Sequence, residues 1–70
     1  MTDRERLGKN VRRLRKRSGL SQESLAGRSD LHPTEISRLE RGVREPRLGT
    51  IVRVARALGV RPAELLAGIE

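Results

Sequence analysis

Residues 19–42 read GLSQESLAGRSDLHPTEISRLERG, and the helix start and stop signals in this stretch decide the fold. Ser21 is a good N-cap residue, and Pro33 fits the first position of a helix, where its missing N–H is not needed. Gly42 offers a left-handed stop. The stretch therefore predicts two short helices, over 22–28 and 33–41, joined by a brief turn.

Helix signals continue on both sides of this stretch. Thr2 and Glu5 have the spacing of a capping box, and apolar residues recur at helical spacing after them. Leu48 opens the inner face of a further helix, and Pro62 can open a last one. No period-2 alternation indicates a strand. The sequence thus predicts an all-α single domain over residues 1–70, with helices over 3–18, 22–28, 33–41, 48–58 and 62–68.

The composition excludes several classes of protein. The 70 residues include no cysteine and one histidine, so a metal site or a Cys/His or Ser/His nucleophile system is very hard to build. We therefore expect neither an enzyme nor a metal or other cofactor, and we expect His32 to be a helix cap or turn residue. No apolar run approaches the roughly 18 residues of a membrane span, so the expected location is the cytoplasm.

The net charge of +7 favours a polyanionic partner, although charge alone does not separate DNA, RNA and acidic membrane. The charge is +6 over residues 1–20, −1 over 21–42 and +2 over 43–70. Fourteen of the 16 basic residues are arginine, whose planar fork suits phosphate and guanine. A GC-rich genome that favours arginine codons is an equally good explanation of that bias.

Two short helices joined by a turn of about four residues match a helix-turn-helix, whose second helix enters the DNA major groove. Residues 19–26 (GLSQESLA), 36–42 (ISRLERG) and 55–60 (ARALGV), with Pro46, closely resemble the lambda-repressor-like, Xre-type family of phage repressors and Cro-like regulators. The resemblance covers nearly the whole chain. It implies a five-helix DNA-binding domain that binds a palindromic operator in double-stranded DNA as a homodimer. We therefore predict a sequence-specific regulator, acting as a repressor and associated with the nucleoid when bound.

Asp30 stands where the family often has glycine, and we expect it to take a left-handed conformation. Ser24 stands where a glutamate often completes the capping box of the second helix, so that box is incomplete. Arg47 and Arg61 replace serine caps at the last two helices, which leaves their first amides without a side-chain acceptor.

The predicted recognition helix has an inner and an outer face. With Ile36 and Leu39 turned inward, its opposite side presents side chains to solvent. Arg38 can donate two hydrogen bonds to guanine, and a solvated helix face is the alternative for it. The outward candidates are Thr34, Ser37, Arg38 and Arg41, and the resemblance implies Pro33, Thr34 and Arg38 as base-contacting positions, with Ser37 nearby.

Phosphate contacts are expected beside the recognition helix, because they fix register without carrying sequence information. The candidates are Gln22 at a helix N-terminus and Arg41, Arg44 and Arg47, of which the last two are equally well explained as ordinary loop charges. The resemblance also implies an ion pair between Arg15 and Glu40 that links the first helix to the third. An exposed pair without structural importance is the alternative.

The end of the chain predicts an interface between two copies. Leu65, Leu66 and Ile69 cannot all face so small a core, so some of that surface is expected to pair across a two-fold axis. Two other functions stay open at this point. One is an antitoxin that also binds a toxin protein. The other is an RNA-binding or interaction module, which the neutral-to-acidic middle of the chain favours.

Overall fold

Five helices and no strand make up the computed structural model, which describes residues 1–70. Their bounds are α1 Asp3–Arg17, α2 Gln22–Ser29, α3 Pro33–Arg41, α4 Leu48–Leu58 and α5 Pro62–Leu65. The predicted all-α class and the order of five helices are confirmed. None of these helices combines the length and apolar character that crossing a bilayer requires.

A complete capping box starts α1. The hydroxyl of Thr2 accepts from the Glu5 amide at 3.2 Å, and the Glu5 carboxylate accepts from the Thr2 amide at 2.8 Å. The Thr2 hydroxyl also donates to that carboxylate at 2.9 Å. Because these bonds favour the ionised form, they hold the pKa of Glu5 below its ordinary value. The capping box that the sequence predicts at Thr2 and Glu5 is therefore present at the start of α1.

The core is aliphatic and draws on every helix. Its wholly buried members are Val11, Leu25, Ile36, Val54 and Leu65, one from each helix in chain order, together with Ala55. α1 packs mainly on α3, α2 packs on α3 and α4, and α5 closes against α4 and α1. α3 is thus supported by both α1 and α2, and only its outer side is left to solvent.

The turn between α2 and α3 depends on one residue in the left-handed region. Asp30 has φ 57° and ψ 43°, as expected for the position where the family often has glycine. The next amide, of Leu31, donates to the carbonyl of Ala26 at 2.9 Å, and the Leu31 side chain packs against the core. The turn is closed and anchored, so the angle between α2 and α3 is fixed.

α5 is shorter than predicted and ends three residues early, at Leu65. The side-chain amide of Asn10 on α1 donates to the carbonyls of Leu65 at 2.8 Å and Ala67 at 2.9 Å. Beyond Leu65 the backbone amides bond three residues back instead of four. The chain therefore leaves the helix in tight turns that are tied to α1.

Leu48 does not join the inner face of α4, and the prediction that it would is wrong. It is the first residue of the helix and is 75% exposed. The inner face begins one turn later, with the half-buried Ile51, and continues with the buried Val54 and Ala55. The apolar spacing fixed the direction of the face but not the point at which the core ends.

Candidate nucleic-acid interface

The start of α3 is held by a capping box built on histidine. The ring nitrogen Nδ1 of His32 accepts from the Thr34 amide at 3.1 Å, and Glu35 accepts from the His32 amide at 3.2 Å. Pro33 is the first helical residue. His32 is thus a cap, as its position in the sequence predicted, and the first turn of α3 projects Thr34 into solvent.

The outer side of α3 carries the side chains that the sequence assigned to it. Ile36 and Leu39 are buried, which fixes the rotation of the helix. Thr34, Arg38 and Arg41 are exposed, whereas Pro33 and Ser37 are half-buried at the edges of the outer face. Arg41 donates from Nε to the Ser37 carbonyl at 3.3 Å, so its guanidinium lies back along its own helix.

A buried polar cluster connects α3 to α1 and α2. Glu40 accepts from Arg15 Nε at 2.6 Å and Nη2 at 2.9 Å, in a two-pronged pair. The two side chains are 11% and 4% exposed, for Arg15 and Glu40 respectively. Hydrogen bonding to the carboxylate raises the pKa of Arg15 above its ordinary value, so this arginine stays charged. The pair that the resemblance implied is present, and it is buried rather than exposed.

Two further contacts complete this cluster. Arg15 Nη1 donates to the Leu20 carbonyl at 3.0 Å, and Gln22 Nε2 donates to Glu40 at 3.1 Å. A primary amide carries two hydrogens, so Gln22 keeps one N–H for another acceptor. The side chain predicted to meet a phosphate is therefore held at the N-terminus of α2 by the same carboxylate that anchors α3.

A concave surface of about 500 Å³ lies between α3 and α4. Arg38 of α3, Arg44 and Arg47 of the following loop, and Arg53 of α4 all line it. The other lining residues are Asp30, Leu31, Glu35, Leu39, Glu45, Pro46 and Thr50. Four arginines and three carboxylates with only two hydrophobic residues make this a polar surface suited to a charged partner. Arg41 lies outside it.

Arg53 and Thr50 were not among the residues predicted for this site. The two residues are separated by three positions on α4, so they lie on neighbouring parts of one side of that helix. Helical spacing places Arg53 away from the buried Val54 and Ala55, and the half-buried Thr50 at the edge of that buried face, but it does not show which neighbouring element they approach. That depends on how α4 packs against α2, α5 and α1, which local sequence does not specify.

The three residues predicted to join two copies have different surroundings. Leu65 is completely buried, so its side chain belongs to the core and has no surface to offer a second chain. Leu66 is 41% exposed, and Ile69 is half-buried. Both line a groove of about 180 Å³ that also contains Leu7, Pro46 and Ile51. The apolar surface is therefore smaller than predicted and includes part of α4.

The model of a family described as helix-turn-helix, HTH_3, matches residues 11–65. This chain belongs to that helix-turn-helix family. The control protein C.BamHI of Bacillus amyloliquefaciens is 48% identical over 69 residues, covering 94% of this regulator and 85% of C.BamHI.

Solved structures agree with this membership. The crystal structure of the restriction-modification controller protein C.AhdI from Aeromonas hydrophila has a TM-score of 0.88 and 41% identity. That match covers 90% of this chain and 96% of the other. The DNA-binding domain of the P22 C2 repressor has a TM-score of 0.83 and 29% identity, covering 89% and 82% of the two chains. The predicted lambda-repressor-like fold and class are confirmed, and this helix-turn-helix protein is a DNA-binding transcription regulator rather than an enzyme.

Proposed function

We propose that this regulator binds a palindromic operator as a homodimer, inserts α3 into the major groove and represses transcription by occupying the operator. It acts as a single domain over residues 1–70, in the cytoplasm and on the nucleoid when bound. The observation that carries the proposal is the position of Arg38, exposed on α3 and bordered by the arginines of the following loop. The side chain that reads a base and the arginines that contact the DNA backbone then lie on one surface.

Base recognition is assigned to the outer side of α3. Arg38 donates two hydrogen bonds to O6 and N7 of a guanine, and the methyl group of Thr34 contacts a thymine methyl. Pro33 has no donor and adds an apolar contact beside Thr34. Ser37, half-buried on the same side, contacts a base edge through its hydroxyl.

Phosphate contacts are assigned to the residues around that helix, namely Gln22, Arg41, Arg44 and Arg47. Gln22 is the first residue of α2, so its remaining side-chain N–H lies near the backbone amides of the first helical turn. Arg44 and Arg47 are exposed in the loop that follows α3. These contacts set the position of α3 on the duplex without selecting its sequence.

Pairing of two copies is assigned to the apolar surface of α4 and the chain end. Leu66 and Ile69 contribute to it, and Leu65 does not, because it is buried. Leu48 is 75% exposed and three residues from Ile51, so it extends the same surface along α4. A two-fold axis through this surface presents two copies of α3 to successive turns of one face of the duplex.

The regulated genes are suggested by the names of two relatives. C.BamHI is named a control protein, and C.AhdI a restriction-modification controller. We extend that role to this chain, whose operator is then expected upstream of restriction-modification genes.

Selection from a random pool of duplexes tests the operator. The expected result is a palindrome whose half-sites are about one helical turn apart, the spacing general to dimeric helix-turn-helix repressors. Arg38→Ala is expected to cost about 1–3 kcal/mol on the selected site and to relax one base position in each half. Equal losses on the selected and a scrambled duplex would make Arg38 a phosphate contact instead.

Sedimentation tests the dimer. Leu66→Asp places a charge on the proposed interface, whereas Ala63→Asp places one on an exposed residue of α5 that does not line the apolar groove. Leu66→Asp is expected to stay helical, become monomeric and bind the operator more weakly, with Ala63→Asp resembling the original chain. A chain that is monomeric at high micromolar concentration, with and without DNA, would contradict the dimer.

A further inference from the structure

The concave surface beside α3 has a second wall, made by α4. Thr50 and Arg53 line it from α4, across from Glu35 and Arg38 of α3. Arg53 is exposed and forms no ion pair, because the one ion pair of the structure joins Arg15 to Glu40. The next arginine of α4, Arg56, is also exposed but does not line this surface.

The two walls differ in charge. α4 contains no acidic residue, so its side of the concave surface is purely cationic. The opposite side carries Asp30 and Glu35 beside Arg38, for a net charge of −1, and the loop between the two walls carries Glu45 beside Arg44 and Arg47. A phosphate is repelled by those carboxylates and attracted by Arg53, whereas a base edge carrying amino donors is compatible with Glu35. The charges thus favour a DNA backbone along α4 and base edges along α3.

We infer that Thr50 and Arg53 form a phosphate subsite on α4. This subsite binds the DNA backbone at the edge of the groove that α3 reads. The guanidinium of Arg53 donates to phosphate oxygens, and the Thr50 hydroxyl donates to the same or the adjacent phosphate. Arg53 sets the position of the regulator on the duplex and adds to its affinity for DNA, but it does not select bases. This subsite rests on the proposed function, because it takes α3 as the groove-reading helix.

Salt titrations of binding test the subsite. Arg53→Ala is compared with Arg56→Ala, a removal of the same charge from the same helix outside the concave surface, on the selected operator and on a scrambled duplex. Arg53→Ala is expected to weaken both duplexes by the same factor and to reduce the magnitude of the slope of log K against log salt by about one per bound chain. Arg56→Ala is expected to leave the slope unchanged.

Two more variants sharpen the test. Arg53→Lys keeps the charge and should retain the slope, and Thr50→Val should weaken both duplexes without altering the slope, because a hydroxyl displaces no counterion. Equal slopes for Arg53→Ala and Arg56→Ala overturn the subsite, and so does a loss confined to the selected operator, which would make Arg53 a base-reading residue. A wild-type chain that binds both duplexes equally contradicts the proposed sequence-specific function. The slopes of the two alanine variants on either duplex still decide the subsite in that event.

Discussion

At the scale of single residues, Glu40 joins three helices. It lies on α3 and accepts from Arg15 of α1 and Gln22 of α2, with its side chain 4% exposed. The net contribution of such a buried pair is small, since desolvation offsets most of the attraction. Its loss is costly all the same, because one charge would stay buried without a partner.

Glu40→Ala is expected to lower the free energy of unfolding by roughly 3 kcal/mol, near the lower end for breaking a buried pair, because Arg15 keeps some access to water. A domain of this size has about 3–5 kcal/mol in total, so the variant should keep about 0–2 kcal/mol and be only marginally stable without DNA. Urea unfolding followed by helical circular dichroism measures the change. Arg15→Met with Glu40→Leu should recover much of the stability, and a fully stable Glu40→Ala chain would contradict the role given to the pair.

Gly8 is the second residue on which the position of α3 depends. A Cβ at Gly8 would lie 2.5 Å from the carbonyl oxygens of Leu39 and Glu40, both backbone atoms at the end of α3. Gly27, in the last turn of α2, has no atom within 4 Å of the same added Cβ. The two glycines therefore provide a matched pair for substitution.

Gly8→Ala is expected to destabilise the chain by about 1–3 kcal/mol, because α1 and α3 must move apart to admit the methyl group. Gly27→Ala should instead stabilise it by about 0.5–1 kcal/mol, since alanine favours a helix interior. Thermal unfolding of both variants gives the comparison. If Gly8→Ala were as stable as Gly27→Ala, the close approach of α1 to α3 would be wrong.

At the scale of elements, local start and stop signals in the sequence predict most helix bounds well. The features that these signals miss depend on contacts between residues far apart in sequence. α1 to α4 begin at their predicted first residues, α4 without a side-chain cap, and end within one residue of their predicted ends. The end of α5 is tied to Asn10, 55 residues away from Leu65 in sequence, so no local pattern contains that contact. The same holds for Arg53, whose approach to α3 depends on the packing of α4.

Asn10→Ala tests the link between α1 and α5. Two carbonyls, one of them buried, lose their donor, which should cost about 1–3 kcal/mol. Amide hydrogen exchange should show the loss most strongly around Leu65, because both lost hydrogen bonds end on the carbonyls of that segment. Lys9→Ala, at the exposed neighbouring position, serves as the control and should change neither quantity. Unchanged exchange in Asn10→Ala would show that core packing alone holds α5.

At the scale of the whole molecule, the charge is concentrated away from the reading surface. Residues 6–17 contain seven basic and no acidic residues, which equals the net charge of the chain. Apart from Arg15, these side chains form an exposed stripe on α1. The concave surface carries four arginines against three carboxylates and is nearly balanced. Long-range attraction therefore comes from α1, whereas short-range contacts come from the loop and the neighbouring helices.

This division of roles gives opposite expectations for two arginines. Arg41, Arg44 and Arg47 alone neutralise about six phosphates per dimer, for a slope of log K against log salt of roughly −5, and Arg53 of the inferred subsite adds about two more, for roughly −7. Arg44→Ala should reduce its magnitude by about 2 in the dimer and weaken all sequences alike. Arg12→Ala, on the stripe of α1, should mainly slow association at low salt and leave the slope nearly unchanged, because its effect is a screened field rather than a contact. Equilibrium titration and stopped-flow association measure the two effects separately. A large slope change from Arg12→Ala and none from Arg44→Ala would place the duplex on α1 and overturn the docking of α3.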